Sequence, residues 1–244
     1  MAQIHGGQLI MILQNYIYQS PSFFTREEVQ RIHAAAEKLP YNDSMIGQQN
    51  RTQDAEDHTT EGNVDNTIRQ GGTKWFINEQ NHMPADITDK IAAALNLANV
   101  DCGWNHTIEY QENPQYTIYN PPKERKGGDF YTWHTDAGPM HYDNGMHRKL
   151  SMTIQLSDQD DYEGGHFQWL EPQRQFDKMK SSAHGVEGLN PSIDMNEAIR
   201  TVPFSSREIG SVLVFPSFVY HQVTPVLSGC RKSLVVWFVG RPYV

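Results

Sequence analysis

Phe130-Tyr131-Thr132-Trp133-His134-Thr135-Asp136 is the stretch on which the reading of this chain turns. Its aromatic residues favour a pleated, half-buried surface, so the spacing predicts a β-strand over 130–136. On a strand, residues two apart share a face, which sends the His134 imidazole and the Asp136 carboxylate to one side, about 7 Å apart at Cα and able to converge on one ion. Two ligands do not make a site. A second strand-like run, Phe218-Val219-Tyr220-His221-Gln222-Val223-Thr224-Pro225-Val226, offers His221. Laid beside the first, it completes a set of two histidines and one carboxylate, which holds iron(II) by three protein ligands and leaves positions open for a chelating cosubstrate and dioxygen.

Spacing alone does not carry this reading, because the chain has 11 histidines and His-x-Asp occurs twice. The competing pair, His141-Tyr142-Asp143, runs directly into Asn144-Gly145. That dipeptide signals a turn, so the competing pair reads as solvated loop. Arg231 adds an independent argument. It is expected one hairpin beyond His221, across Ser228-Gly229, and an arginine is costly to bury unless an anion meets it. Its planar fork suits a carboxylate bidentately.

Further landmarks keep a fixed order along the chain. They are Gln115-Tyr116-Thr117-Ile118-Tyr119, the aromatic Tyr131 three before His134, and Arg148-Lys149-Leu150-Ser151-Met152-Thr153-Ile154-Gln155-Leu156. Tyr162-Glu163-Gly164-Gly165, Gly210-Ser211-Val212-Leu213-Val214-Phe215-Pro216-Ser217, and His221-x-Val223-x-Pro225-Val226-x-x-Gly229-x-Arg231-x-Ser233 follow. From about Gln115 to the C-terminus this set resembles the prolyl 4-hydroxylase-like branch of the iron(II)/2-oxoglutarate-dependent oxygenases. The resemblance implies a mainly β fold with flanking α-helices around a double-stranded β-helix, a jelly-roll of cupin type. It implies that His134, Asp136 and His221 hold Fe(II), that Arg231 takes the distal carboxylate of 2-oxoglutarate, and that Ser233 and Tyr119 contact the cosubstrate. Gln155 stands where some relatives carry a tyrosine. The implied reaction consumes O2 and 2-oxoglutarate, releases succinate and carbon dioxide, and uses ascorbate as a possible reductant. Related halogenases lose the carboxylate ligand; Asp136 is present, which implies hydroxylation.

The expected substrate is proline in a peptide or protein. A free amino acid or small metabolite is the alternative, because substrate contacts would come from the loops at 41–66, 121–129 and 137–147. A third reading, a metal-binding β-barrel without turnover, has no use for Arg231.

Composition narrows the setting. A net charge of -9 without a lysine or arginine run disfavours a nucleic-acid partner. Two cysteines, Cys102 and Cys230, are too few for a disulfide framework, which favours a reducing cytoplasm. Leu9-Ile10-Met11-Ile12-Leu13 is too short to span a bilayer and lacks a preceding basic region, so no membrane segment or signal peptide is expected.

The 244 residues read as a single oxygenase domain, with helical support and a loop over about 1–103 and the β-core over about 104–244. Met1 to Gln8 reads as a loose leader and residues 9–24 as strand. Thr25-Arg26-Glu27-Glu28 is a capping box that opens a helix to about Lys38, and Pro84 introduces another in which Ile87, Ile91 and Leu95 recur at helical spacing. The polar stretch 41–66 reads as a loop or flap, and 68–77 as strand. Core strands are expected near 104–111, 114–120, 130–136, 148–156, 165–170, 199–204, 210–215, 219–225 and 231–239. In the fourth, Leu150, Met152, Ile154 and Leu156 share a face. Asp158 to Asp161 reads as a solvated acidic turn, and 171–198 as a polar insertion with a short helix near 193–199.

Overall fold

The computed structural model describes residues 3–5, 8–10, 16–44, 65–123, 127–138, 145–171 and 198–242, the first two segments by backbone alone. The His141/Asp143 pair, most of the 41–66 loop and nearly all of the 171–198 insertion lie outside the described residues. In chain order the strands are β1 (Gln3–His5), β2 (Gln8–Ile10) and β3 (Tyr18–Ser20), then helix α1 (Arg26–Glu37). Strands β4 (Asn42–Asp43), β5 (Arg69–Gln70) and β6 (Gly72–Trp75) lead to helix α2 (Ala85–Asp101). After it come β7 (Tyr110–Gln111), β8 (Gln115–Tyr119), β9 (Phe130–His134), β10 (His147–Gln155), β11 (Tyr162–Gly164) and β12 (Phe167–Leu170). The last are β13 (Ile199–Thr201), β14 (Val212–Pro216), β15 (His221–Val223), β16 (Val226–Gly229) and β17 (Arg231–Gly240).

The larger sheet runs β3-β14-β10-β17-β8-β6-β4, with β7 also paired to β17, and the smaller runs β13-β12-β15-β9-β5. Every pairing within them is antiparallel. Two antiparallel sheets backed by two helices make a jelly-roll core. The strand period decides what each face carries. On the larger sheet Leu150, Met152 and Ile154 of β10, Val212 and Val214 of β14 and Leu234, Val236 and Phe238 of β17 form one buried cluster with α1 and α2. The helices therefore cover that face with Val29, Ile32, Ile87, Ile91 and Leu95. Thr25 caps α1 as the sequence predicts: its hydroxyl accepts the Glu28 amide at 3.2 Å while the Glu28 carboxylate accepts the Thr25 amide at 2.7 Å.

The opposite face of the same sheet is polar although it is buried. Gln115, Thr117, Ser151, Thr153, Gln155, Arg231 and Ser233 are each less than 10 % exposed. Register aligns them, with Gln155 opposite Ser233 and Arg231 opposite Tyr119. A buried face of this composition needs hydrogen-bond partners, which makes it the place to look for a ligand.

Several expected boundaries move. Gln3–His5 is no loose leader, since it pairs with Gln8–Ile10, and the 9–24 strand reduces to Leu9, Ile10 and Tyr18–Ser20 among the described residues. The 104–111 strand keeps only Tyr110 and Gln111, because the Asn99 side chain takes both backbone groups of His106 (2.9 Å and 2.8 Å) and Asn105 turns the chain at φ 51°. The 199–204 strand stops at Thr201 and Pro203 begins a 3-10 turn, Phe204–Arg207. Only His221–Val223 of 219–225 is paired. Ile199 belongs to β13 and not to a helix.

The paired glycines after Glu163 have a steric reason. Gly164 sits at φ +74°, and a Cβ there would lie 2.2 Å from the Pro225 carbonyl oxygen. Gly165 sits at φ +57°, where a Cβ would come within 2.8 Å of Arg231 Cδ. The corner thus lets β11 and β16 meet and lets the Arg231 stem pass. Gly164→Ala combines a left-handed backbone with a backbone clash and should cost about 2 to 4 kcal/mol, read as a lower denaturation midpoint with unchanged slope.

Candidate active site

Strand pairing sets His134 opposite His221, with the two rings 4.2 Å apart between centroids. The register shifts between this pair and the next, Tyr131 opposite Val223, so three residues of β9 match two of β15. A bulge of this kind re-aims side chains. It explains how Tyr131, three residues from His134, stacks on the His134 ring at 3.5 Å. Trp133 projects elsewhere and stacks with Tyr220 at 5.6 Å.

Asp136 does not sit on the strand as expected. β9 ends at His134, and the amides of Asp136 and Ala137 both donate to the Ser217 carbonyl, at 2.9 Å and 2.8 Å. Those bonds pull the chain off the ladder and fold the carboxylate back between the imidazoles. Asp136 Oδ1 is 3.7 Å from His134 Nε2, and Oδ2 is 3.8 Å from His221 Nε2. Such distances are too long for hydrogen bonds and short enough for one ion to bridge.

The donor chemistry fits a metal. His134 Nδ1 bonds the Thr132 carbonyl at 2.7 Å and His221 Nδ1 the Val219 carbonyl at 2.9 Å, so each Nδ1 carries the proton and each Nε2 is left with its lone pair. Ligand atoms of His134, Asp136 and His221 all lie within 4.8 Å of one another. Burial drives the His134 imidazole down to about 3, with neighbouring His221 adding to the effect and Asp136 opposing it. Burial alone would raise the Asp136 carboxyl, yet the facing His221 and His134 hold it below its usual range. Neutral imidazoles and an ionised carboxylate are the states a divalent metal requires.

A cavity between the sheets begins beside this cluster. Its wall includes Phe167, whose ring lies 5.3 Å from that of His221, together with Thr153, Gln155, Tyr162, Arg207 and Arg231. Along β10 the polar face runs from Ser151, which helps hold the Asp136 carboxyl down, through Thr153 to Gln155. Four residues of strand separate those ends by roughly 13 Å.

Arg231 reaches the cavity from β17, in the larger sheet, and not from a hairpin with β15 as expected; β15 pairs with β9 and β12 in the smaller one. Arg231 is 4 % exposed, and among the described residues its Nε has no hydrogen-bond partner. Nη1 donates to Ser233 Oγ at 3.4 Å, and the Tyr119 ring centre is 5.7 Å from Cζ. Tyr119 packs with Val223 and Val226 beside Arg231 and is not part of the cavity wall. A buried guanidinium with an unspent donor and no carboxylate within salt-bridge reach among the described residues is built to receive an anion. Of the expected residues, His134, Asp136 and His221 come together as one cluster and Arg231 lines the cavity, while Ser233 touches Arg231 and Tyr119 packs beside it outside the cavity wall. Gln155, whose role the sequence leaves open, and Tyr162, which it marks only as part of the glycine corner, line the same cavity, and Arg207 joins them unforeseen.

Residues 114–239 match the family model of the 2OG-Fe(II) oxygenase superfamily, about half of the chain, and the protein belongs to that family. Membership implies Fe(II), 2-oxoglutarate and O2, which suit the metal cluster and the anion pocket. A PKHD-type hydroxylase from Shewanella baltica is 27 % identical over 154 residues, covering 62 % of this chain and 57 % of that protein. One from Synechococcus is 32 % identical over 110 residues, covering 45 % and 36 %. The chain thus spans little more than half the length of the curated relatives it matches, or less. Among solved structures, a Pseudomonas putida prolyl-4-hydroxylase superposes with TM-score 0.54 at 22 % identity, covering 94 % of this chain and 95 % of that one. A prolyl hydroxylase in complex with a hypoxia inducible factor oxygen degradation domain peptide fragment from Trichoplax adhaerens gives 0.58 at 15 %, covering 92 % and 84 %. Both likenesses are of fold.

Proposed function

We propose that this chain is an iron(II)- and 2-oxoglutarate-dependent dioxygenase that hydroxylates an unactivated carbon, with proline in a peptide or protein as substrate. The observation that carries the reading is the pairing, inside one barrel, of the His134/Asp136/His221 cluster with a buried arginine whose Nε is unspent. A structural metal site has no need of the second element.

In this reading His134 and His221 bind the iron through Nε2 and Asp136 through its carboxylate. Arg231, with Ser233 beside it, holds the distal carboxylate of 2-oxoglutarate, and Tyr119, outside the cavity wall, supports the guanidinium rather than contacting the cosubstrate as expected. When bound, iron and 2-oxoglutarate supply the oxidative decarboxylation that couples dioxygen to hydroxylation, with succinate and carbon dioxide as coproducts. The protein's part is to orient and to exclude water. Backbone bonds to Thr132 and Val219 fix the two imidazoles, and Ser217 fixes the turn that delivers Asp136. Phe167 and Phe215 pack against His221 and dry that flank. Tyr131 and Trp133 lie near the cluster, where an extended peptide could bind by backbone hydrogen bonds with one ring in a pocket. The PKHD-type hydroxylase relatives and the prolyl hydroxylase fold neighbours support this choice.

We take the chain as one oxygenase domain with the segment before residue 104 as support. Among the described residues no helix is long and apolar enough to cross a membrane. The free thiols of Cys102 and Cys230 suit a cytoplasmic setting.

The test is succinate formation from 2-oxoglutarate with iron(II), ascorbate and a substrate panel. A proline-containing peptide should accelerate decarboxylation and gain the mass of one oxygen on proline, while free proline should not. Turnover of a free amino acid with peptides inert would transfer the assignment to small metabolites and leave the iron site standing.

A further inference from the structure

Arg207 is the second buried arginine on the wall of the anion cavity. It is 8 % exposed and ends the 3-10 turn Phe204–Arg207 that precedes β14. Tyr162 holds it: the guanidinium lies 4.4 Å from the ring centre, Nε donates to the tyrosine hydroxyl at 3.2 Å, and Nη2 donates to the tyrosine carbonyl at 3.2 Å. Its Nη1 has one contact among the described residues, 3.5 Å from His166 Nδ1. No carboxylate comes within salt-bridge distance of Arg207 or of Arg231 among the described residues, and the cavity wall contains no aspartate or glutamate. Two buried cations facing one space without a counter-charge are costly, and an anion in that space offsets the cost for both.

The Tyr162 hydroxyl points to the same conclusion. It accepts from Arg207 Nε and from Gln155 Nε2, the latter at 2.8 Å. Both lone pairs are then used, so its own hydrogen is left to donate. Tyr162 is 4 % exposed and lines the cavity with the two arginines. Neighbouring His166 registers the field: burial first, then Arg207 and Arg231 together, lowers its affinity for a proton.

We propose that Arg207, held over Tyr162, is a second anchor for the cosubstrate, and that the distal carboxylate is clamped between Arg231 with Ser233 on one side and Arg207 with the Tyr162 hydroxyl on the other. This rests on the assignment of 2-oxoglutarate to the Arg231 pocket and adds a specificity-determining residue to it. A clamp from one strand-borne arginine and one on the 3-10 turn before β14 reads the negative charge at the far end of the diacid and excludes chains that end in a methyl.

The experiment is calorimetric titration of the zinc-loaded protein with 2-oxoglutarate and with 2-oxopentanoate, which has the same length but no distal carboxylate. Arg207→Met should weaken 2-oxoglutarate binding roughly tenfold to a hundredfold and leave 2-oxopentanoate unchanged, so that the preference between the two collapses. A structural role alone would move both ligands together. If Arg207→Met does not fold, Arg207→Lys keeps the stem and charge without the fork and should still lose several-fold in 2-oxoglutarate affinity. Binding that depends on Arg231 and is indifferent to Arg207 overturns the clamp alone. A wild-type protein that does not bind 2-oxoglutarate overturns the cosubstrate assignment beneath it.

Discussion

Asp136→Ala is expected to abolish hydroxylation and to weaken iron binding by at least roughly a hundredfold. The two imidazoles that remain cannot compensate, because their Nδ1 atoms are committed to backbone carbonyls and no other described carboxylate joins them. Misfolding can be separated from ligand loss. The fold holds the Asp136 carboxyl below its usual range, so the ionised group contributes stability near neutral pH, and its removal should lower the thermal midpoint without metal while far-ultraviolet circular dichroism at lower temperature shows the variant folded. With metal at about a hundred times its dissociation constant, the wild type gains about 2.7 kcal/mol, a gain the variant should lack. Asp143→Ala, in the competing pair, should leave metal affinity intact. Equal loss in both variants on iron titration would overturn the Asp136 assignment.

That two strands far apart in the chain supply one metal cluster was readable because ligand chemistry belongs to individual residues: His134, Asp136 and His221 announce themselves by type, spacing and flanking strand pattern. The helix-facing alternation of Leu150, Met152 and Ile154 was readable for a similar reason, since period two is a local property. What pairing decides was not readable. The β9 bulge exists only against β15, and it brings Tyr131 onto His134 against simple alternation. Asp136 leaves the strand because of a carbonyl on Ser217, far along the chain. Arg231 was expected across a hairpin from His221, yet β16 pairs with β11 and sends β17 to the other sheet. Arg207 lies between the expected strands 199–204 and 210–215, in Ser205-Ser206-Arg207-Glu208, where no apolar pattern announces burial. The distant Tyr162 supplies ring, hydroxyl and carbonyl to it, with His166 and Phe204 on its other sides. A useful signal was present in β10: Ser151, Thr153 and Gln155 alternate with the apolar residues, and a strand flanked by others on both sides should not carry a polar face without a ligand to meet it.

Arg231→Ala should raise the apparent 2-oxoglutarate requirement by on the order of a hundredfold while iron still binds, because losing a bidentate charge-assisted contact costs roughly 2 to 4 kcal/mol. The native arginine is held without being satisfied. Tyr119 flanks its guanidinium, Gly165 leaves room for its stem, and Ser233 takes Nη1, while Nε has no partner among the described residues. Such a group is ready for its ligand and pays little ordering entropy on binding. The metal cluster is built from β9, β15 and the turn after β9, none of which bonds Arg231, so iron titration of the variant should match the wild type. Arg231→Lys is the sharper comparison. It restores charge but not the fork, and should recover only part of the lost affinity. An unchanged 2-oxoglutarate requirement in Arg231→Ala would mean that the carboxylate is held elsewhere, with the Arg207 and Tyr162 side of the cavity as the first place to look.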